Sequence, residues 1–455
     1  MKINPFIFRE YDIRGRVIED FPPEVVVLLG RGFGTLLKRS GGREIALSGD
    51  IRLTTPDLIN YFKEGVLSTG IDIINIGIVP TPVNYFSLYH LDVSGSVQIT
   101  GSHNPPEFNG FKLSMHKKPV YGKQIQKIKE YIENQDFDVG EGSEARYKIL
   151  PDYFSMILNK INIVNPIKVV MDCGNAAAAI NAPNIFKNLG VELTELYCEP
   201  DGTFPNHHPD PTVESNLIDL IKYMKTGNYD VGIAFDGDGD RVGVVDETGD
   251  IIWADQLMAI FLPTIINPGD KVIFDVKCSQ ALIDVILRCE GEPIMWKTGH
   301  SLIKNKMAET NCKLGGEMSG HIFFADDYYG YDDAIYVAAR LVELLSKSGK
   351  KLSELKSEVP VYISTPEIRL EAESDDEKFK ISKKAFEYFT KNEDCITVDG
   401  VRILYENGWG LVRASNTQPV IVCRFEADSL ENMNFIKKKV LDQLKQFGSL
   451  QITNH

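Results

Sequence analysis

A chain of 455 residues, 43% hydrophobic and 25% charged, is long enough for several buried cores, roughly three by length alone. Its net charge of −15 argues against nonspecific nucleic-acid binding, so an anionic ligand must be held by local Arg and Lys. No run approaches the ~20 apolar residues of a membrane span, and Met1-Lys2-Ile3-Asn4-Pro5 lacks the apolar centre of a signal peptide.

In chain order, the first chemistry falls at Thr100-Gly101-Ser102-His103-Asn104-Pro105-Pro106. The apolar run Val97 to Thr100 predicts a strand that stops at Gly101. Asn104-Pro105-Pro106 then forbids immediate continuation as helix or sheet. Ser102 is expected on a tight, exposed turn where a reactant reaches its hydroxyl. Asn109-Gly110-Phe111-Lys112 reads as a further turn that points Lys112 back toward Ser102. The polar stretch Asp136 to Glu144 reads as a linker closing a first unit.

A second unit opens with Ile167 to Asp172, a buried-strand pattern, followed by Cys173-Gly174-Asn175. The adjacent histidines His207 and His208 are expected to be structural. Leu217, Leu220, Ile221 and Met224 fall at helical spacing and mark one amphipathic helix. Val231 to Phe235 predicts another buried strand, and Asp236-Gly237-Asp238-Gly239-Asp240-Arg241 follows it. Three carboxylates at alternate positions can converge on one hard divalent cation, and oxygen-only ligands favour Mg²⁺ over zinc. A calcium loop also opens Asp-x-Asp-x-Asp. Here Arg241 and the apolar run Val242 to Val245 come next, with no Glu where the calcium pattern needs one. Val242 to Asp246 and Asp250 to Trp253 flank Glu247-Thr248-Gly249 as a hairpin.

Lys271 to Val276 predicts a strand of a third unit, Gly316-Glu317-Met318-Ser319-Gly320-His321 a Gly-rich loop, and Asp332 to Leu345 a long helix. The last unit starts near Pro366, and its acidic run Glu371 to Glu377 reads as a solvated connection. Arg413-Ala414-Ser415-Asn416-Thr417 sits between two strand-like runs, Gly410 to Val412 and Val420 to Phe425. A guanidinium fork, two hydroxyls, an amide and successive backbone N–H groups suit a phosphate that is bound without reacting. Strands alternating with helices predict α/β layers. Each of the first three units ends a strand in one polar loop, where ligands gather in open α/β sheets. Seven scattered cysteines without a Cys-x-x-Cys spacing read as reduced thiols, and a cytoplasmic location is expected.

The serine loop and the acidic loop resemble those of the α-D-phosphohexomutases, most closely the bacterial phosphomannomutase/phosphoglucomutase group. Gly316 to His321 is similar to the sugar-binding loop of that family, and Arg413 to Pro419 to its phosphate-binding loop. Phe8-Arg9-Glu10-Tyr11-Asp12-Ile13-Arg14-Gly15 and Lys297-Thr298-Gly299-His300-Ser301 resemble two more of its segments. The six motifs fall in the family's order and span essentially the whole chain.

The resemblance implies an α/β, four-domain phosphohexomutase architecture: three topologically similar α/β domains plus a smaller C-terminal α+β domain around a central cleft. Boundaries are expected at 1–148, 149–250, 251–362 and 363–455. It further implies Mg²⁺ held by Asp236, Asp238, Asp240 and a phosphoserine oxygen on Ser102. Tyr11, Arg14 and Lys112 are expected near the reacting phosphate, with His103 orienting the loop or touching phosphate. Arg241 is expected to complement phosphoryl oxygens or to form a structural ion pair. Glu317 and Ser319 would face the sugar, Lys277 is expected among the substrate-binding residues, and Arg413, Ser415, Asn416 and Thr417 would face the remote phosphate. His300, His321 and Lys112 are candidates for general acid–base work.

The implied activity moves phosphate between C1 and C6 of a hexose, mannose and/or glucose, through phospho-Ser102. A hexose 1,6-bisphosphate (glucose 1,6-bisphosphate or mannose 1,6-bisphosphate) is intermediate and activator. Expected partners are small-molecule hexose phosphates, with no nucleic acid and no membrane, and the protein is expected to be a monomer. The alternatives are a phosphoglucosamine mutase, a metal-dependent sugar phosphatase and a sugar-phosphate-binding protein without turnover. A clamp for a second, unreacting phosphate favours the mutase. Two departures from the family pattern stand out: alanine in Gly174-Asn175-Ala176, and Ser48-Gly49-Asp50-Ile51-Arg52 in place of a Gly-Arg-Asp pattern.

Overall fold

Short runs rich in Ile, Val and Leu form the strands of four sheets, because branched side chains pack well on a pleated surface. The computed structural model describes residues 3–415 and 420–453. The first sheet contains β1 (Ile13–Arg16), β2 (Glu44–Gly49), β3 (Asp72–Ile78), β4 (Gly95–Ile99), β5 (Phe108–Met115), β6 (Lys118–Pro119) and β7 (Glu144–Arg146). Its order is β1-β5-β4-β2-β3-β7, with β6 paired to β5. The second contains β8 (Lys168–Asp172), β9 (Glu192–Leu196), β10 (Val231–Phe235), β11 (Val242–Asp246) and β12 (Ile251–Ile252), ordered β12-β11-β10-β8-β9. The third contains β13 (Lys271–Asp275), β14 (Glu292–Trp296), β15 (Leu314–Gly316) and β16 (Ile322–Phe324), ordered β14-β13-β15-β16.

These three sheets share one plan. Parallel pairs form the middle (β4-β2-β3, β10-β8-β9, β15-β13-β14), and one antiparallel strand is added beyond the last of them (β5, β11, β16). In each sheet the chain leaves a parallel strand at its carboxyl end and returns antiparallel through a polar loop. Ser102 lies in the β4–β5 loop, Asp236 to Arg241 in the β10–β11 loop, and Glu317 to His321 in the β15–β16 loop. The three polar loops therefore occupy equivalent positions.

The fourth sheet is wholly antiparallel: β17 (Ile363–Ser364), β18 (Ile368–Glu371), β19 (Asp394–Ile396), β20 (Val401–Tyr405), β21 (Gly408–Ala414), β22 (Val420–Ala427) and β23 (Gln451–Thr453). Its order is β19-β20-β21-β22-β18-β23, with β17 on β22, and its own core includes Ile381, Phe389, Ile403 and Phe425. It docks on the third sheet where Trp409 and Leu411 pack against Val276. Arg402 lies 3.6 Å from the Trp409 ring centroid and donates to the Val276 and Cys278 carbonyls. One apolar core runs through the second and third sheets and takes in Val83 and Phe86 of the first unit, so these units bury surface against each other.

Three local expectations are corrected by long-range pairing. Asn109-Gly110-Phe111-Lys112 is not a turn but the middle of β5. It is paired to β1 on one side and β4 on the other, and two ladders outweigh the turn preference of Asn-Gly. The stretch Asp136 to Glu144 does not close the first unit, because Glu144 begins β7, which adds a parallel edge to β3. The run Glu371 to Glu377 is only partly a connection. Ser374 caps the helix Asp375–Asn392 by accepting from the Glu377 N–H, and Asp376 and Glu377 suit the positive end of that helix. All seven cysteines are free thiols, with Cys173, Cys278 and Cys423 buried as expected. Among the described residues no helix is long and apolar enough to cross a membrane.

Candidate active site

The Ser102 loop is built around a cation that sequence reading passed over. Arg52, 2% exposed, is anchored by the Asp50 carboxylate and donates to the carbonyls of Ser102, Asn104, Pro105 and Phe108. Asp50 also accepts from the Thr100 hydroxyl and the Gly101 N–H. A guanidinium with five donors can gather that many carbonyls; an ammonium cannot. The departure Ser48-Gly49-Asp50-Ile51-Arg52 thus supplies the frame of the loop. Arg52→Lys is expected to destabilise the protein by about 3 kcal/mol, since several buried carbonyls lose their donor; urea unfolding of the two proteins side by side checks this.

Held this way, Ser102 adopts φ +50, a conformation rare for a residue with a side chain. It is 2% exposed, which corrects the expectation of an exposed turn: the acidic loop covers it. Gly237 makes that cover possible, because a Cβ there would stand 2.1 Å from the Ser102 carbonyl oxygen. The Ser102 hydroxyl lies 3.1 Å from His103 Nδ1 and 3.4 Å from Asp236 Oδ2. Burial, and after it Arg241 and Arg14, hold His103 well below the usual histidine range. His208 Nε2 hydrogen-bonds the His103 carbonyl, while His207 pairs with Asp172 at 3.0 Å, so both histidines brace loops.

Asp236 shapes its own loop: Oδ1 accepts from the N–H groups of Gly239, Asp240 and Arg241. Gly239 takes φ +78 so that the chain can fold back to offer them. Asp236, Asp238 and Asp240 are fully buried and each turns a ligand atom to one point, all within 4.8 Å of one another. Oδ1 of Asp238 and Oδ1 of Asp240 are buried without a hydrogen-bond partner. Three oxygens of this kind, two with unused lone pairs, fit a hard divalent cation. Burial, then Asp240 and Asp238, pushes the Asp236 carboxyl well above the usual range, the effect of like charges crowded in a buried loop.

Lys112 enters from β5 and stands 2.6 Å from Asp238 and 2.5 Å from Asp240. Burial alone would lower its pKa, but the two carboxylates raise it well above the usual lysine range. It therefore addresses the acidic loop, not Ser102 directly as the turn reading expected. Thr81 adds a hydroxyl to Asp238 and donates its N–H to the Asp238 carbonyl.

From the third sheet, Glu317 is buried, accepts from the Gly299 N–H and lies 3.1 Å from the Ser319 hydroxyl. Lys277, at the end of β13, pairs with Glu367 at 2.8 Å, and Arg424 from β22 donates to the Lys277 carbonyl. Tyr11 donates to the Thr298 carbonyl at 2.8 Å, and Arg14 pairs with Asp12. Arg241 reaches His321, its Nε donating to Nε2 at 2.9 Å; His300 stacks on His321 with centroids 5.3 Å apart. From the fourth sheet, Arg413 is anchored by Asp399 at 2.6 Å, and Asp399 also accepts from the Thr298 N–H. Ser415 ends the described part of that hairpin tip; Asn416 and Thr417 lie outside the described residues. Direct contacts thus join loops of all four sheets, while Arg52, Thr81, Asp332 and Asp399 are the members sequence reading missed. Only Arg52, buried in a polar segment, carried any local signal.

Four family descriptions match the chain in order. Phosphoglucomutase/phosphomannomutase alpha/beta/alpha domain I matches residues 5–139, domain II 151–249, domain III 253–362, and the C-terminal domain 367–443. A phosphomannomutase/phosphoglucomutase of Pseudomonas aeruginosa is 47% identical, covering 97% of this chain and 96% of its own. A phosphoglucomutase of Neisseria meningitidis is 41% identical over 93% of each. The crystal structure of a phosphoglucomutase/phosphomannomutase family protein from Burkholderia thailandensis is 40% identical with TM-score 0.93, covering 99% of this chain and 100% of that one.

Proposed function

The chain belongs to the phosphoglucomutase/phosphomannomutase family of α-D-phosphohexomutases, and from that premise we propose that it interconverts the 1- and 6-phosphates of glucose and mannose with Ser102 as phosphoryl carrier. The observation that supports this most is the meeting of the three equivalent strand-end loops in one place, with the Arg413 hairpin of the fourth sheet on the same cleft. A carrier, a cation site, a sugar loop and a second phosphate clamp are the parts a mutase requires. A phosphatase needs only the first two.

Phospho-Ser102 presents its phosphoryl group to the free hydroxyl of a bound hexose phosphate. The hydroxyl oxygen attacks phosphorus, the bond to Ser102 Oγ breaks, and the hydroxyl proton passes to a base, for which His321 is the best placed candidate, with His300 beside it. The resulting hexose 1,6-bisphosphate turns around and returns its other phosphate to Ser102. Asp236, Asp238 and Asp240 with a phosphoserine oxygen would hold Mg²⁺, which when bound withdraws charge from the serine oxygen as the phosphoryl group departs. Arg14, Arg241 and His103 bound the reacting phosphate; Glu317, Ser319 and Lys277 orient the sugar. Arg413, Ser415, Asn416 and Thr417 hold the phosphate that does not react. Two positively charged ends let the bisphosphate bind in either sense. The protein is read as a cytoplasmic monomer acting on small-molecule hexose phosphates, which its free thiols and acidic surface suit.

Phosphorus NMR of the protein with Mg²⁺, trace glucose 1,6-bisphosphate and one sugar 1-phosphate per tube tests this. Glucose 1-phosphate and mannose 1-phosphate are both expected to yield 6-phosphates. Release of inorganic phosphate would replace the mutase reading by a phosphatase. Turnover of glucosamine 1-phosphate alone would move the substrate to the amino sugar.

A further inference from the structure

Two of the seven free thiols touch. Cys173 Sγ and Cys198 Sγ are 3.4 Å apart, Cys173 fully buried and Cys198 half-buried. The proposed phosphoryl transfer uses neither sulfur. Both stand where neighbouring parallel strands end, Cys173 directly after β8 and Cys198 just after β9. Backbone bonds already tie the two exits together. The Cys173 N–H donates to the Leu196 carbonyl at 3.2 Å and the Asn175 N–H to the Tyr197 carbonyl at 2.7 Å. The Asn175 side-chain amide adds a bond to the Glu199 carbonyl at 2.9 Å. Tyr197 takes φ +50, a costly conformation for a bulky residue. It turns Cys198 back over β8, with Sγ 3.6 Å from the Met171 carbonyl.

The sulfurs already stand at the separation of reacting atoms poised for attack, about 3–3.5 Å. We propose that Cys173 and Cys198 are a reversible oxidation site, closing to a disulfide with a small-molecule disulfide such as oxidised glutathione as the oxidant. Cys198 is the sulfur that a reagent in solution can reach. Its thiolate attacks one sulfur of the oxidant, the oxidant's S–S bond breaks, and one small thiol leaves with the proton that Cys198 gave up. Cys173 then attacks Cys198 Sγ, the mixed disulfide breaks, and the second small thiol leaves with the Cys173 proton. Two protein thiols are oxidised and one small disulfide is reduced to two thiols, so electrons and protons balance. Burial, and after it the hydrogen bond from Cys198, pushes the Cys173 thiol well above the usual range. Cys173 therefore suits the second step, against a sulfur held beside it, and not the first. The effect is protective. A bulky adduct on Cys198 is exchanged for a bond between groups already in contact, next to Asp172, which braces His207. Transient disulfides of this kind are the ones that reducing compartments tolerate.

The full chain is incubated with oxidised glutathione, alkylated, digested without reduction and mapped by mass. The intact protein is expected to become lighter by two hydrogens, with the peptides carrying Cys173 and Cys198 joined. Dithiothreitol should restore both thiols. A lasting glutathione adduct on Cys198, a link between other cysteines only, or no change at either residue overturns the proposal without any variant. Cys198→Ser is expected to abolish the link and leave Cys173 unmodified, because the reagent cannot reach the buried sulfur. Cys173→Ala is expected to retain on Cys198 the glutathione that the unmodified protein expels. Modification of Cys173 in the first variant, or a bare Cys198 in the second, would sink the assignment of attacking and resolving sulfurs. Should Cys173→Ala fail to fold, the map of the unmodified protein decides alone.

Discussion

Ser102→Ala is expected to lower hexose phosphate interconversion by at least about 10⁴-fold while substrate still binds. In the proposed reaction this hydroxyl, 3.4 Å from Asp236 Oδ2, is the phosphoryl carrier. His103 Nδ1 lies 3.1 Å from the hydroxyl, and burial, with Arg241 and Arg14 after it, holds that imidazole well below the usual histidine range. The backbone frame should survive, because Arg52 grips carbonyl groups, Ser102's among them, and not the serine side chain. Arg413, the proposed phosphate clamp, stands on the fourth sheet and not on the Ser102 loop, so isothermal titration with glucose 6-phosphate should give an affinity within about threefold of the unmodified protein. Turnover retained in this variant would exclude Ser102 as carrier and, with it, the bisphosphate route.

The second large effect is expected at Asp238. Asp238→Asn keeps the shape of the side chain and can retain a contact to Thr81, but it removes one of three negative charges aimed at the cation. Activity at limiting Mg²⁺ is expected to fall about 10³-fold and to recover partly as Mg²⁺ is raised. A chelator should silence the unmodified protein, and Mg²⁺ should restore it. Stability is expected to move the other way. With Asp236 already pushed well above the usual carboxyl range by burial and its neighbours, removing a like charge relieves repulsion in the metal-free protein. A melting temperature that holds or rises while activity collapses would identify a functional loss. A fall in both would show that Lys112, which pairs with Asp238 and Asp240, needs both partners for the fold.

Much of the fold could be read locally because strand ends and loops announce themselves by residue type. The runs before Asp236 and before Ser102 are apolar enough to be strands, and glycines alternating with acids, or a glycine followed by paired prolines, can only follow them as loops. The errors lie where a distant segment decides. Asn109-Gly110 has the composition of a turn but is clamped between β1 and β4, and Glu144 has the composition of a linker but finds an open edge on β3. Arg52 looked like an irregular variant of a motif, and its four carbonyl partners lie about fifty residues further along the chain.

The sequence by itself determined which candidate side chains stand on which loops: a serine ahead of two prolines, three aspartates spaced by glycines, a Glu-Met-Ser turn, an arginine leading into a hairpin tip. Those are local properties, set by backbone preferences and by the ligand chemistry of each residue type. Tertiary structure alone decided that the loops share one cleft. Lys112 reaches Asp238 across 126 positions, Arg241 reaches His321 across 80 and Tyr11 reaches Thr298 across 287. Such contacts leave no periodicity or spacing in the chain, because they arise only when sheets built on the same plan turn their strand ends toward one another.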